Sequence, residues 1–176
     1  PRVFAYLKRT PMAAHCLRVL AQSGLPTLVF LVGLTDDERT LAGPTLSFAT
    51  EYLDFTAVAA ECSAAVLNGT HYSTLDFLLA GVPLLQMPLQ LEQLLTSQAV
   101  ERLGAGVTVL QERPDEFAPA LQRVLNDASL RANARRFAER YSNFAPRNVR
   151  ALLVDWLDAQ AAGRALPSPP ALPPGE

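Results

Sequence analysis

Cysteine is scarce in this chain, with only Cys16 and Cys62 among 176 residues, both inside apolar helical patterns. Two such thiols suit a core in a reducing compartment better than a disulfide framework. That sets the expectation of a cytoplasmic protein. Histidine is equally scarce, His15 and His71 being the pair, and no His, Cys, Asp and Glu cluster has metal-ligand spacing. No metal centre is expected. No apolar run approaches the ~20 residues that cross a bilayer, so no transmembrane segment is expected, and no signal peptide is visible. A basic stripe is missing too: 15 Lys and Arg stand against 17 Asp and Glu, mixed along the chain, for a net charge of −2. Nucleic-acid binding, which leaves such a stripe, is excluded. The chain lacks an initial Met and enters a strand directly after Pro1-Arg2. It reads as a piece of a longer protein.

What is present is apolar and alternating. Hydrophobic residues make up 49% of the chain, enough for one domain with a core of ordinary size. Short β-rich runs fall near 3–8, 27–32, 45–49, 64–67, 84–87 and 106–110, separated by helical stripes. The pattern predicts an α/β fold, a doubly wound parallel sheet of about six strands. Past residue 115 the pattern is helical only, a C-terminal helical segment ending with Val149, Leu152, Leu153, Trp156 and Leu157 on one stripe. The expected domain spans 1–163. Residues 164–176, rich in Pro, are expected to be a disordered tail.

The chain is organised around residues 64–93, AAVLNGTHYSTLDFLLAGVPLLQMPLQLEQ. A strand ends at Asn68-Gly69, a helix is expected over Ser73–Ala80 with Ser73 as its cap, Gly81 stops it, and Pro83 opens the next strand. This is one βαβ unit. The loop after its first strand lies where ligands sit in such sheets, and the following helix aims free N–H groups into it. An anion at the start of this helix is the expectation. The same loop also suits a plain strand-to-helix turn. Asn68-Gly69-Thr70 spells an N-glycosylation acceptor, but at a buried strand end it is a chance match.

The wording of the stretch resembles the donor-binding half of GT-B glycosyltransferases. That family carries H-G-G-x-G-T-x-x-E-A-L-x-x-G-V-P, a strand ending in Pro, and then Asp or Glu before Gln. Gly81-Val82-Pro83, Pro88 and Glu92-Gln93 match directly, and VERLGAGV over 100–107 reads as the family's next segment. In the phosphate loop Asn68 stands at the His position, Gly69 at the first Gly, Thr70 and Tyr72 at the other two, Ser73 at the Thr and Asp76 at the Glu. The resemblance covers about 3–157.

The resemblance implies a nucleotide diphosphate sugar, UDP- or dTDP-linked, as donor substrate and no cofactor. Asn68, Gly69, Thr70, His71, Tyr72, Ser73 and Thr74 would meet the diphosphate, the N–H groups of residues 71–74 doing much of the work. Lys8, with Arg9 beside it at the end of the first strand, is the expected cation. Asp76 would reach the ribose. Glu92 and Gln93 would bind the sugar, and residues 48–53 would cradle the base. No catalytic residue is assigned, because the family's base comes from an N-terminal acceptor domain not present here. The expected function is therefore the donor-binding half of a hexosyltransferase, inactive alone, with that acceptor domain as partner and a homodimer through the last helix as a further possibility. A degenerate, non-catalytic partner-binding module is the alternative, favoured if Tyr72 blocks the crevice. A nucleotide-sugar epimerase would need acidic and His residues at the cleft, and none is found.

Overall fold

The computed structural model describes residues 2–142 and 146–165. The chain divides into two compact units, Pro1–Ala138 and Glu139–Glu176. The first contains the sheet. In chain order it runs β1 (Val3–Leu7), α1 (Pro11–Gln22), β2 (Thr27–Leu31), α2 (Asp36–Arg39), β3 (Leu46–Phe48), α3 (Phe55–Ala60), β4 (Ala64–Leu67), α4 (His71–Leu79), β5 (Leu84–Gln86), α5 (Leu91–Arg102), β6 (Gly106–Thr108), α6 (Phe117–Asn126) and most of α7 (Ala128–Arg140). The second unit holds α8 (Pro146–Ala161), on which Leu153, Val154 and Leu157 are exposed. Of the expected tail, everything from 166 on lies outside the described residues.

All strand pairs are parallel, in the order β3-β2-β1-β4-β5-β6. The six strands fall where the apolar runs predict. Strand periodicity divides the core in two. Val3, Ala5, Leu7, Val66 and Leu85 face a layer with Cys16, Leu17, Leu20, Phe117 and Leu121. Phe4, Ala65, Leu67 and Leu84 face a second layer with Phe77, Val100 and Ala134. Alternate residues of one strand point to opposite sheet faces, and both faces are covered, as all-parallel sheets require. Phe4 stacks on Phe77 at 5.2 Å and meets Phe55 edge-on at 5.4 Å, locking α3 and α4 to β1.

Several expectations need correction. Residues 35–40, whose charges alone suggest no more than a polar connector, contain α2, a single turn held by a complete capping box between Thr35 and Glu38. The α4 helix begins at His71 with Thr70 as its cap, two residues before the expected start. On α5 the helical spacing of 91–103 predicts Leu94, Leu95, Val100 and Leu103 inward; Val100 is buried, but Leu95 and Leu103 are exposed. The rest of the buried face is Gln93 and Ser97. That face is polar because it meets the strand ends, where hydrogen-bonding groups collect, and not the apolar middle of the sheet.

Candidate functional site

The strand order reverses between β1 and β4. At such a switch point the two connections leave in opposite directions and open a crevice at the carboxyl edge. Two loops flank it, residues 8–10 after β1 and residues 68–70 after β4. The loop after β5, residues 87–90, lies beside the second, because β4 and β5 are paired through Leu67↔Gln86.

The loop after β4 is pinned from below. The Asn68 side chain is buried and donates from Nδ2 to Tyr6 O at 2.8 Å, tying β4 to β1 across the switch point. A glycan on this nitrogen is ruled out by its burial. Gly69 follows with φ +76°, and a Cβ there would lie 2.6 Å from Gln93 O and from Ser97 Oγ. Only glycine lets the chain turn left-handed and lie directly on the first turn of α5. Thr70 then caps α4 without a side-chain bond to its backbone. Instead Thr70 Oγ1 and Ser73 Oγ meet at 2.5 Å.

The first intrahelical bond of α4 runs from Thr74 N to Thr70 O, 3.0 Å. The N–H groups of His71, Tyr72 and Ser73 precede it and have no partner within the helix. Thr74 N–H, expected to be a fourth donor to an anion, is used. The Thr74 side chain is buried and accepts from Gln86 Nε2 at 3.4 Å, beneath the loop. Ser73 is buried as well, its hydroxyl turned to Thr70. His71 and Tyr72 are exposed. Tyr72 is 82% exposed, so its ring does not fill the crevice.

The loop after β1 behaves differently. Lys8 Nζ donates to Tyr6 Oη at 2.6 Å and lies 4.6 Å from the centre of that ring. Arg9 closes on the capping box of α2: Nη1 and Nη2 meet the Glu38 carboxylate at 3.1 and 2.9 Å, and Nη2 also donates to Gly33 O. The Arg9 hydrogen bond, then those from Thr35, hold the Glu38 carboxyl down at about 2. Arg9 is thus committed within the fold.

Glu92 is exposed in the first turn of α5, and Gln93 is buried beside it. Gln93 Oε1 accepts from Leu89 N at 2.8 Å, which holds the loop after β5 and leaves the amide nitrogen as the group to offer. Asp76, further along α4, is half-buried. Burial, and then the neighbouring Asp54, push its carboxyl above the usual range. Asp54 caps α3, accepting from Thr56 N at 3.0 Å. Asp76 therefore sits against the end of the loop over 49–54. The residues that sequence reasoning missed are Gln86 and Ser97, buried polar groups between α4 and α5. Among the described residues, no group of three or more His, Cys, Asp or Glu could hold a metal. Nor is any helix there long and apolar enough to cross a membrane.

The six-stranded parallel sheet with helices on both faces defines a doubly wound, Rossmann-like domain. Residues 43–156 match the family "Erythromycin biosynthesis protein CIII-like, C-terminal domain". The chain belongs to that family, the C-terminal domain of GT-B glycosyltransferases. A PGL/p-HBAD biosynthesis glycosyltransferase of Mycobacterium tuberculosis is 38% identical over 100 residues, 56% of this chain and 23% of that protein. A PGL/p-HBAD biosynthesis rhamnosyltransferase of Mycobacterium bovis is 32% identical over 127 residues, 71% of this chain and 28% of that protein. The chain thus spans about a quarter of the length of these curated relatives. Among solved structures, glycosyltransferase VinC in complex with dTDP superposes with a TM-score of 0.70 at 18% identity, over 81% of this chain and 37% of that one. SnogD from Streptomyces nogalater gives 0.67 at 23% identity, over 87% and 42%. Os79 from O. sativa in complex with UDP gives 0.69 at 22%, over 78% and 35%. These structural likenesses establish the fold.

Proposed function

We propose that this domain holds a nucleotide diphosphate sugar, UDP- or dTDP-linked, for transfer to an acceptor carried by an N-terminal domain of the full-length protein. The observation that carries the reading is the start of α4. Three N–H groups with no helical partner stand at the carboxyl end of β4, next to the point where the strand order reverses. Such a helix end favours an anion by roughly 0.3–1 kcal/mol when exposed, and more when partly buried. The diphosphate lies over Gly69 and Thr70 and takes the N–H groups of His71, Tyr72 and Ser73. As the leaving group it gains negative charge during transfer, and these fixed dipoles stabilise that charge. Asn68, Ser73 and Thr74 shape the loop from beneath. Lys8 Nζ uses one of its three donors on Tyr6 and has two more for the diphosphate. Asp76 serves the ribose and Glu92-Gln93 the sugar, where a carboxylate and an amide suit vicinal hydroxyls. The VinC complex contains dTDP and an Os79 complex contains UDP, which supports this donor class.

The domain alone holds the donor and does not transfer it. Two free thiols, one of them buried, fit a cytoplasmic setting. The exposed Leu153, Val154 and Leu157 of α8 fit a helix that packs on the acceptor domain or on a second copy. One observation favours the non-catalytic alternative: Arg9, a cation expected at the diphosphate, is closed on Glu38. Calorimetric titration of the chain with UDP, dTDP and GDP separates the two. Binding of UDP or dTDP supports the donor reading, and no binding of any of the three at millimolar concentration contradicts it.

A further inference from the structure

The interior strand β5, one in from the edge strand β6, ends in a buried amide. Gln86 is 1% exposed, with β4 and β6 paired on either side. On the same sheet face Leu67 and Leu84 are apolar, as a doubly covered sheet prefers. Burying an amide is unfavourable unless its hydrogen bonds are remade. Here they are remade to two different helices. Nε2 donates to Thr74 Oγ1 of α4 at 3.4 Å, and Oε1 accepts from Ser97 Oγ of α5 at 3.0 Å. Ser97 is fully buried, and its hydroxyl also lies 2.8 Å from Gln93 O. The same Oε1 would be 3.0 Å from a Cβ on Gly69. One side chain thus stands against the Gly69 turn, the first turn of α4 and the second turn of α5.

We propose that Gln86, acting with Ser97, is a positioning residue that fixes the first turn of α4 relative to the first turn of α5. Neither residue touches the donor. Together they set the spacing between the groups assigned to the diphosphate, at 71–73, and those assigned to the sugar, at 92–93. The inference rests on the donor reading above. Its consequence is specific: the bond from the diphosphate to one turn does not need the spacing, whereas simultaneous contact with both turns does. The amide therefore governs how much the sugar adds to nucleotide affinity, not affinity for the nucleotide itself.

The test uses Gln86→Leu, which keeps the volume and removes both bonds, and Ser97→Ala, which removes one. In Gln86→Leu both freed hydroxyls keep a partner: Thr74 Oγ1 can turn to the Thr70 carbonyl, and Ser97 Oγ retains Gln93 O. Two readouts are taken. Without ligand, amide hydrogen exchange is followed at Thr74, Leu89 and Leu94, whose N–H groups bond Thr70 O, Gln93 Oε1 and Gln90 O. With ligand, dissociation constants are compared for UDP against UDP-glucose and for dTDP against dTDP-rhamnose. In Gln86→Leu we expect exchange at these amides to quicken about tenfold while β1 and β2 stay protected. We expect nucleotide affinity to hold within about threefold, and the sugar-bearing donor to weaken about tenfold. Ser97→Ala should give a smaller change in the same direction. Unchanged exchange overturns the proposal whatever the ligands do. Equal weakening of nucleotide and donor also overturns it, since that marks a general loosening. Wild-type protein that binds none of the four probes overturns the donor reading, and the positioning role with it. Wild-type binding with an unaltered ratio in Gln86→Leu overturns the positioning role alone.

Discussion

The two loops that flank the switch point are built to opposite ends. The loop after β1 is closed: Lys8 lies on Tyr6, and Arg9 is bound to Glu38 and Gly33. The loop after β4 is supported from beneath and open above, with Asn68, Ser73 and Thr74 bonded inward and three N–H groups left over. On the proposed reading, the difference teaches where the donor's charge is met. Of the side-chain cations, the obvious candidates by composition, Arg9 is consumed in holding the fold together. Backbone dipoles at a helix start are fixed by the fold, so they cost no reorganisation when an anion arrives.

The largest expected effect tests the support beneath the open loop. Gly69 in the open loop and Gly33, whose carbonyl accepts from Arg9 of the closed loop, share φ +76°. At Gly33 an added Cβ would meet nothing closer than Arg9 Nε at 3.7 Å, so Gly33→Ala should cost only the left-handed strain, about 1–2 kcal/mol. At Gly69 the Cβ would overlap Gln93 O and Ser97 Oγ, so Gly69→Ala should add an overpacking cost, for about 2–5 kcal/mol in all. Denaturant unfolding of the two variants decides. Equal losses would break the comparison.

A smaller effect concerns the closed loop. The folded-state pKa of Glu38 is depressed to about 2, against about 4.3 for a free Glu. Its contribution to stability is therefore complete above the unfolded value and is lost as pH falls through the folded one. With Arg9 48% exposed, solvent screening keeps the contribution small. Melting temperature followed from pH 6 to pH 2 should fall more steeply in wild type than in Glu38→Gln, with the divergence between pH 4 and 2. Parallel curves would show that Arg9 is not held by this pair.

The smallest effect is a near absence. With its ring 82% exposed, Tyr72→Ala should change UDP affinity by less than about twofold. A gain of tenfold or more in calorimetry would mean that the ring covers the site in solution, and would restore the blocked-crevice alternative.

Much of this was legible in the sequence, and the physical reasons differ by region. The strands were plain because a sheet covered on both faces demands unbroken apolar runs, such as Thr27–Leu31. The capping box of α2 was present as Thr35-Asp36-Asp37-Glu38, but a single turn has too few residues to show a stripe. The start of α4 was misplaced because Ser73 is a better capping residue than Thr70 by type. In the structure the Ser73 hydroxyl instead meets that of Thr70, three residues before it, and Thr70 holds the cap position. Gln86 and Ser97 were invisible, since a polar residue at a core position carries no signal until its partner, distant in sequence, is known. The inward face of α5 was misread for the same reason: Gln93 and Ser97 are the buried positions, and Leu95 is not.

The central claim is that backbone N–H groups at the start of α4 hold the diphosphate. Titrating UDP into isotopically labelled protein and following amide nitrogen and proton shifts tests it directly. The account predicts the largest shifts at His71, Tyr72 and Ser73, with Gly69 and Thr70 next and the amides of residues 8–10 smaller. Saturable shifts centred on residues 8–10, with residues 71–73 unmoved, would contradict it.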